Sequence, residues 1–104
     1  MKTYILNLYY PSLKEYAGKV SMAKDFVEDV AGKSNYRVIR AGESICSLAF
    51  ATDADPADFE RQLDDLGESQ FQYLLVEICG IPAGWTDKSV YQWLRDRLCK
   101  GSEK

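Results

Sequence analysis

The chain has 104 residues, of which 46% are hydrophobic and 28% are charged, and its formal net charge is −3. These values are typical of a folded globular domain and exclude a disordered tail or a collagen-like repeat. The sequence contains no histidine, so the usual general acid–base group and the commonest metal ligand are both missing. We therefore predict a single domain over residues 1–104 that is not an enzyme and holds no cofactor.

The sequence also predicts where in the cell the protein is located. No apolar stretch has the length of a membrane span, and the first residues lack the apolar core of a signal peptide. The three cysteines, Cys46, Cys79 and Cys99, are widely spaced and odd in number, which argues against a disulfide framework. We expect a cytoplasmic protein with Cys46 and Cys79 in its core.

The first half of the chain predicts a strand, a helix and a hairpin. Residues 3–9 form a nearly continuous apolar run, which is typical of a central strand. Ser12–Glu15 has the S-x-x-E form of a capping box, and apolar residues at spacings of three and four follow as far as Gly32. Residues 35–41 and 45–51 then flank the glycine-containing turn 42–44, which predicts a β-hairpin.

The second half predicts a helix, a strand and a final helix. Asp55 and Pro56 are typical of a helix start, and Gly67 of its end. Residues 71–78 alternate as a strand, with Tyr73 and Leu75 on one face and Leu74, Val76 and Ile78 on the other. Thr86 and Asp87 are suited to cap a last helix that carries Val90, Trp93 and Leu94.

This order of elements predicts an α+β fold. Two strand–helix–strand units in tandem give the ferredoxin-like βαββαβ arrangement, an antiparallel four-stranded sheet with two helices on one face. The extra C-terminal helix has three possible places: part of the open face of the sheet, its edge, or a second copy of the chain.

Acidic residues are concentrated in one segment. Residues 53–68 contain seven acidic side chains against Arg61 alone, whereas residues 1–40 contain seven basic and four acidic ones. The acids are explained either as a solvated helix face, or as a surface that meets a basic partner or imitates a nucleic-acid backbone, or as a divalent-metal site. The candidate partner-binding residues here are Asp55, Asp58, Asp64 and Asp65.

Aromatic residues supply the second candidate contact surface. Trp85, Tyr91 and Trp93 gather around the last predicted helix, and aromatic side chains often anchor interfaces. Trp93 has helical spacing with Val90 and Leu94, which favours a place in the core. We therefore predict that Trp85 and Tyr91 contact a partner.

Several segments together resemble the small CRISPR-associated endonuclease family and its SinR-like relatives. They are Tyr36–Ile39 with Ile45–Leu48, Thr52–Pro56, Tyr73–Ile78, Ala83–Trp85 and Tyr91–Leu94. The resemblance implies a ferredoxin-like homodimer. Nucleases of that family carry an aspartate at the end of the first strand, paired across the dimer to hold a metal. Here that stretch is Asn7–Tyr10, which has no carboxylate, so the resemblance does not extend to metal-dependent cleavage.

The functional hypothesis is a non-enzymatic, acidic protein-binding module. We expect it to form a homodimer and to bind another protein that has a basic surface. A small acidic domain of this kind fits an inhibitor or adaptor of nucleic-acid-handling machinery, such as a phage-encoded anti-CRISPR protein. Direct nucleic-acid binding is not expected, because nucleic-acid-binding surfaces are basic. The alternatives are a divergent dimeric metal-dependent nuclease and a host toxin–antitoxin or housekeeping protein.

Overall fold

The computed structural model describes residues 2–66, 70–78, 90 and 92–96. Four strands and two α-helices follow one another as β1 (Lys2–Tyr9), α1 (Leu13–Ala31), β2 (Tyr36–Ala41), β3 (Ile45–Thr52), α2 (Pro56–Asp64) and β4 (Gln72–Ile78). A short 3-10 helix, Lys33–Asn35, joins α1 to β2. Residues 90 and 92–96 are also helical, and we call them the C-terminal helical residues. The α+β class predicted from the sequence is confirmed.

The strands form one antiparallel sheet in the order β2-β3-β1-β4. The apolar strand β1 lies between β3 and β4, as its nearly continuous hydrophobic sequence predicted. Leu6 pairs with Leu48 on one side and with Leu75 on the other, so these three side chains share one face of the sheet.

Both α-helices pack against this face and form the main core. The apolar stripe of α1 buries Val20, Ala23 and Val27, and α2 buries Phe59 and Leu63. The strands contribute the buried side chains Tyr4, Leu6, Leu8, Cys46, Leu48 and Phe50. The predicted core position of Cys46 is thus confirmed, and burial raises the pKa of its thiol.

The ends of α1 follow the sequence signals only in part. Ser12 is the N-cap residue, but its side chain makes no capping hydrogen bond, so the predicted capping box is wrong. The helix begins instead with a backbone bond, in which the Tyr16 N–H donates to the Ser12 carbonyl at 3.1 Å. Gly32 ends the helix with φ +87° and ψ 153°, a region of backbone space open essentially to glycine alone.

The opposite face of the sheet is covered in part by the C-terminal helical residues. Val90, Trp93 and Leu94 are buried against Ala49 and Ala51 of β3. The predicted core position of Trp93 is therefore confirmed, and the extra helix lies over the open face. The small alanine side chains leave room for the indole ring. Within the described residues, no helix is long and apolar enough to cross a membrane.

Candidate protein-binding site

The four predicted acidic site residues all lie on or beside α2, but they differ in their local roles. Asp55 is the N-cap residue, and its carboxylate accepts a hydrogen bond from the Ala57 N–H at 2.9 Å. Asp65 ends the helix as its C-cap residue. Asp58, Asp64 and Asp65 are exposed. Capping explains Asp55 and the first-turn position explains Asp58, as the solvated-face interpretation expects, whereas neither explains Asp64 and Asp65.

The exposed acids of α2 form two rows on different sides of the helix. Glu60 and Asp64 are one helical turn apart, and we call them the inner row because Asp64 contacts Tyr73 of β4. Asp58 and Asp65 are seven residues apart and form the outer row, which also places them on one side. Arg61 has helical spacing to both members of the outer row but only to Asp64 of the inner row, so it offsets the charge of the outer row more.

Tyr73 connects the inner row to the sheet. Its hydroxyl donates a hydrogen bond to the Asp64 carboxylate, and its ring lies on the helix-covered face because Tyr73 pairs with Leu8. Burial raises the pKa of Tyr73 to about 12, and the hydrogen bond to Asp64 and the charges of Asp64 and Glu60 act in the same direction. The two carboxylates therefore bring negative charge to the space between α2 and β4.

A groove of about 470 Å³ lies between α2 and β4. Its lining consists of Tyr4, Glu60, Tyr73, Leu74, Leu75 and Glu77. The leucines and the tyrosine rings supply apolar walls, and Glu60 and Glu77 supply negative charge. Lys2 forms an ion pair with Glu77 at 3.8 Å, but both side chains are exposed and such a pair is weak. Together with Glu60, Glu77 therefore keeps the groove acidic as a whole. Such a lining suits a cationic group carried on an apolar stem.

Tyr4 forms the part of the groove that belongs to β1. Its side chain is 2% exposed, and its hydroxyl has no hydrogen-bond partner among the residues that the structure describes. Burial raises the pKa of this phenol, and the negative charges of Glu77 and Asp55 raise it further. A buried polar atom without a partner is uncommon in a native fold, so the Tyr4 hydroxyl is a polar group beside the groove with hydrogen-bonding capacity that the described residues do not use.

Sequence reasoning identified only part of this site. The acidic segment predicted from the sequence includes Glu60, whereas Tyr4, Tyr73 and Glu77 have only the pattern of strand residues. The available signal was the alternation in residues 71–78, which correctly put Tyr73 on the face of Leu75. The pairing of β1 with β4, which places Tyr4 opposite Glu77, is not encoded by any local pattern.

The predicted aromatic contact surface is described only in part. Trp85 and Tyr91 lie outside the described residues. Trp93 is buried on the sheet, with the Arg37 guanidinium 5.7 Å from its ring centroid. The structure therefore brings together the acids of α2 and the edge of β4, and Trp93 belongs to the opposite face.

The end of β1, in the stretch Asn7–Tyr10, contains no carboxylate. In this chain Asn7 lies there, and its amide oxygen accepts a hydrogen bond from the Ser47 hydroxyl at 2.7 Å. Asn7 and Ser47 are cross-strand neighbours on the face opposite α1 and α2. The described parts of the chain contain no grouping of three or more cysteine, aspartate or glutamate side chains arranged to hold a metal ion.

Comparison with known proteins adds no relative to this description. No family model matches the chain, and neither curated proteins nor solved structures give a significant match.

Proposed function

We propose that the chain is a non-enzymatic, acidic protein-binding module that engages a basic surface of another protein. The observation that carries this proposal is the pair of exposed acidic rows on α2, with Arg61 as the one basic residue of that helix. An excess of negative charge of this kind attracts and orients positively charged partners. On the β4 side, Asp64 accepts the hydrogen bond of Tyr73 and Glu60 and Glu77 line the groove, so acidic groups continue from α2 to the sheet edge.

The class of partner follows from the sign of the charge. Proteins that handle nucleic acid carry basic surfaces for phosphate, and an acidic domain competes for such surfaces. The proposal is therefore an inhibitor or adaptor of nucleic-acid-handling machinery, of which a phage-encoded anti-CRISPR protein is one example.

The proposal includes a ferredoxin-like fold and a homodimer. The strand order supports the fold, because β3 lies between β1 and β2, and β1 lies between β3 and β4, as two split βαβ units require. The packing of α1 and α2 on one face supports it further. Sedimentation equilibrium measures the oligomeric state directly, and a monomer at micromolar concentration would remove the dimer from the proposal.

The test of partner binding is capture from a cell extract by immobilised protein, followed by identification of the retained proteins. We expect basic proteins to be retained by the wild type and lost from the triple variant Asp58→Lys, Asp64→Lys, Asp65→Lys. The matched control reverses three exposed acids of α1, Glu15→Lys, Asp25→Lys and Asp29→Lys, for the same change of net charge. Equal retention by the wild type and the α2 variant contradicts the proposal, as does equal loss from both variants.

A nuclease assay addresses the alternative class. Pure protein is incubated with RNA and DNA substrates in magnesium or manganese, with and without a chelator. The proposal expects no cleavage above a buffer control. Cleavage that disappears on chelation would instead support the divergent dimeric nuclease implied by the family resemblance.

A further inference from the structure

The starting observation is the edge of the sheet formed by β4. Within the described residues β4 has a neighbouring strand, β1, on one side only. The Tyr10 N–H donates to the Ser44 carbonyl, so the even-numbered residues of β1 direct their backbone groups toward β3 and the odd-numbered ones toward β4. By the same alternation, the backbone groups of Tyr73, Leu75 and Glu77 point away from β1.

Within the described residues, the edge of β4 has little of the usual protection against strand pairing, since Glu77 is its one charged side chain. Residues 72–78 include no proline or lysine, and the pairing of β4 with β1 has no bulge. The backbone positions that point outward belong to residues whose side chains line the acidic groove. The other face of β4 presents Leu74 and Val76, which are 52% and 40% exposed. An incoming strand would therefore meet acidic groups on one face and apolar groups on the other.

Charge decides between the candidate occupants of this edge. If β4 of a second copy paired antiparallel with it, two grooves and two inner rows, Glu60 and Asp64, would meet across the new pair and repel each other. A basic segment of a partner is attracted by the same groups. The apolar walls of the groove suit long aliphatic stems, and the buried Tyr4 hydroxyl adds a polar atom that has no hydrogen-bond partner in the described part of the chain.

We propose that the edge of β4 binds an extended, basic segment of a partner protein by strand addition. Alternate lysine or arginine side chains of the segment enter the groove between α2 and β4, and the intervening apolar side chains cover Leu74 and Val76. Main-chain hydrogen bonds form with Tyr73, Leu75 and Glu77. This inference rests on the proposed function, since it specifies how the acidic module recognises its partner.

The probe is a labelled peptide of the length of β4 with alternating lysine and valine, capped at both ends. Fluorescence anisotropy measures its affinity, and amide chemical shifts of the labelled protein locate it. We expect the largest shifts at Tyr73, Leu75 and Glu77. Glutamate in place of lysine abolishes binding. N-methylation of the peptide bonds that face β4 also abolishes it, whereas methylation of the alternate set does not.

Two double variants with equal change of net charge test the position of the peptide on α2. Glu60→Gln with Asp64→Asn removes the inner row and keeps a hydrogen-bond acceptor for Tyr73. We expect it to weaken binding about tenfold, as the loss of two partly exposed ion pairs predicts. Asp58→Asn with Asp65→Asn removes the outer row, and we expect less than about a twofold change. Circular dichroism checks that both variants fold.

Three outcomes would overturn strand addition: equal weakening by both double variants, shifts spread over α1, or no effect of N-methylation. If extract capture still depends on the acids of α2 in that case, the proposed function stands and only this mode of recognition fails. If capture is also independent of those acids, both are wrong.

Discussion

Phe59 is the side chain that holds α2, and with it both acidic rows, against the sheet. It is 1% exposed, and its ring centroid lies 5.5 Å from that of Tyr4, 5.8 Å from Phe50 and 6.1 Å from Phe26. Replacing Phe59 with alanine removes a fully buried ring and leaves a cavity, which costs about 3 to 5 kcal/mol. That is a large share of the roughly 5 to 15 kcal/mol by which native domains are stable.

Urea denaturation followed by far-ultraviolet circular dichroism measures this loss. Phe59→Leu keeps most of the buried apolar area, so we expect a smaller loss of about 1 to 2 kcal/mol. Met22→Ala is the control, because Met22 is 58% exposed on α1 and its loss changes stability by less than about 0.5 kcal/mol. A loss below about 1 kcal/mol for Phe59→Ala, with an unchanged denaturant slope, would refute the anchoring role of this ring.

Three further changes test the helix ends and the groove. Gly32→Ala forces a side chain into φ +87°, and we expect it to destabilise the protein by about 1 kcal/mol or more. Gly18→Ala lies inside α1 with open space around the new Cβ, and we expect it to stabilise the protein by about 0.5 to 1 kcal/mol. Thermal unfolding of the two variants must therefore show changes of opposite sign. Asp55→Ala removes the α2 cap and lowers stability by about 1 kcal/mol in urea denaturation, while Asp55→Asn retains an acceptor and stays near the wild type. The ultraviolet titration difference between the wild type and Tyr73→Phe should have its midpoint at a pKa of about 12; a midpoint near the ordinary pKa of 10.0 would show that Tyr73 is not bonded to Asp64 in solution. Because the folded-state pKa is raised, the stabilisation from Tyr73 is complete below pH 10.0 and is lost as the pH rises toward about 12.

Local patterns predicted most of the framework, because each depends on neighbours along the chain. The alternation of residues 71–78, the cap at Asp55 and the apolar stripe of α1 all have the positions expected. The predicted capping box is the exception among these local patterns. Ser12 has an extended backbone, φ −155° and ψ 131°, yet its hydroxyl does not reach an amide of the first turn.

Local patterns could not predict the groove, because it is formed by contacts between residues that are distant in the sequence. Tyr4 and Glu77 become neighbours only when β1 pairs with β4, and Tyr73 reaches Asp64 only when α2 lies over the same face. A run of acids predicts a negative helix but does not show which acids face the sheet. The division into an inner and an outer row therefore required the packing of Phe59 and Leu63.

The two faces of the sheet give this protein a fluorescent reporter that is separate from its main core. Trp93 lies with Ala49 and Ala51 on the face opposite α1 and α2, so its emission senses release of the C-terminal helical residues. In a Trp85→Phe background the indole signal comes from Trp93 alone. A red shift of this emission at a urea concentration where the circular dichroism is still unchanged would show that the C-terminal helical residues detach from the sheet before global unfolding.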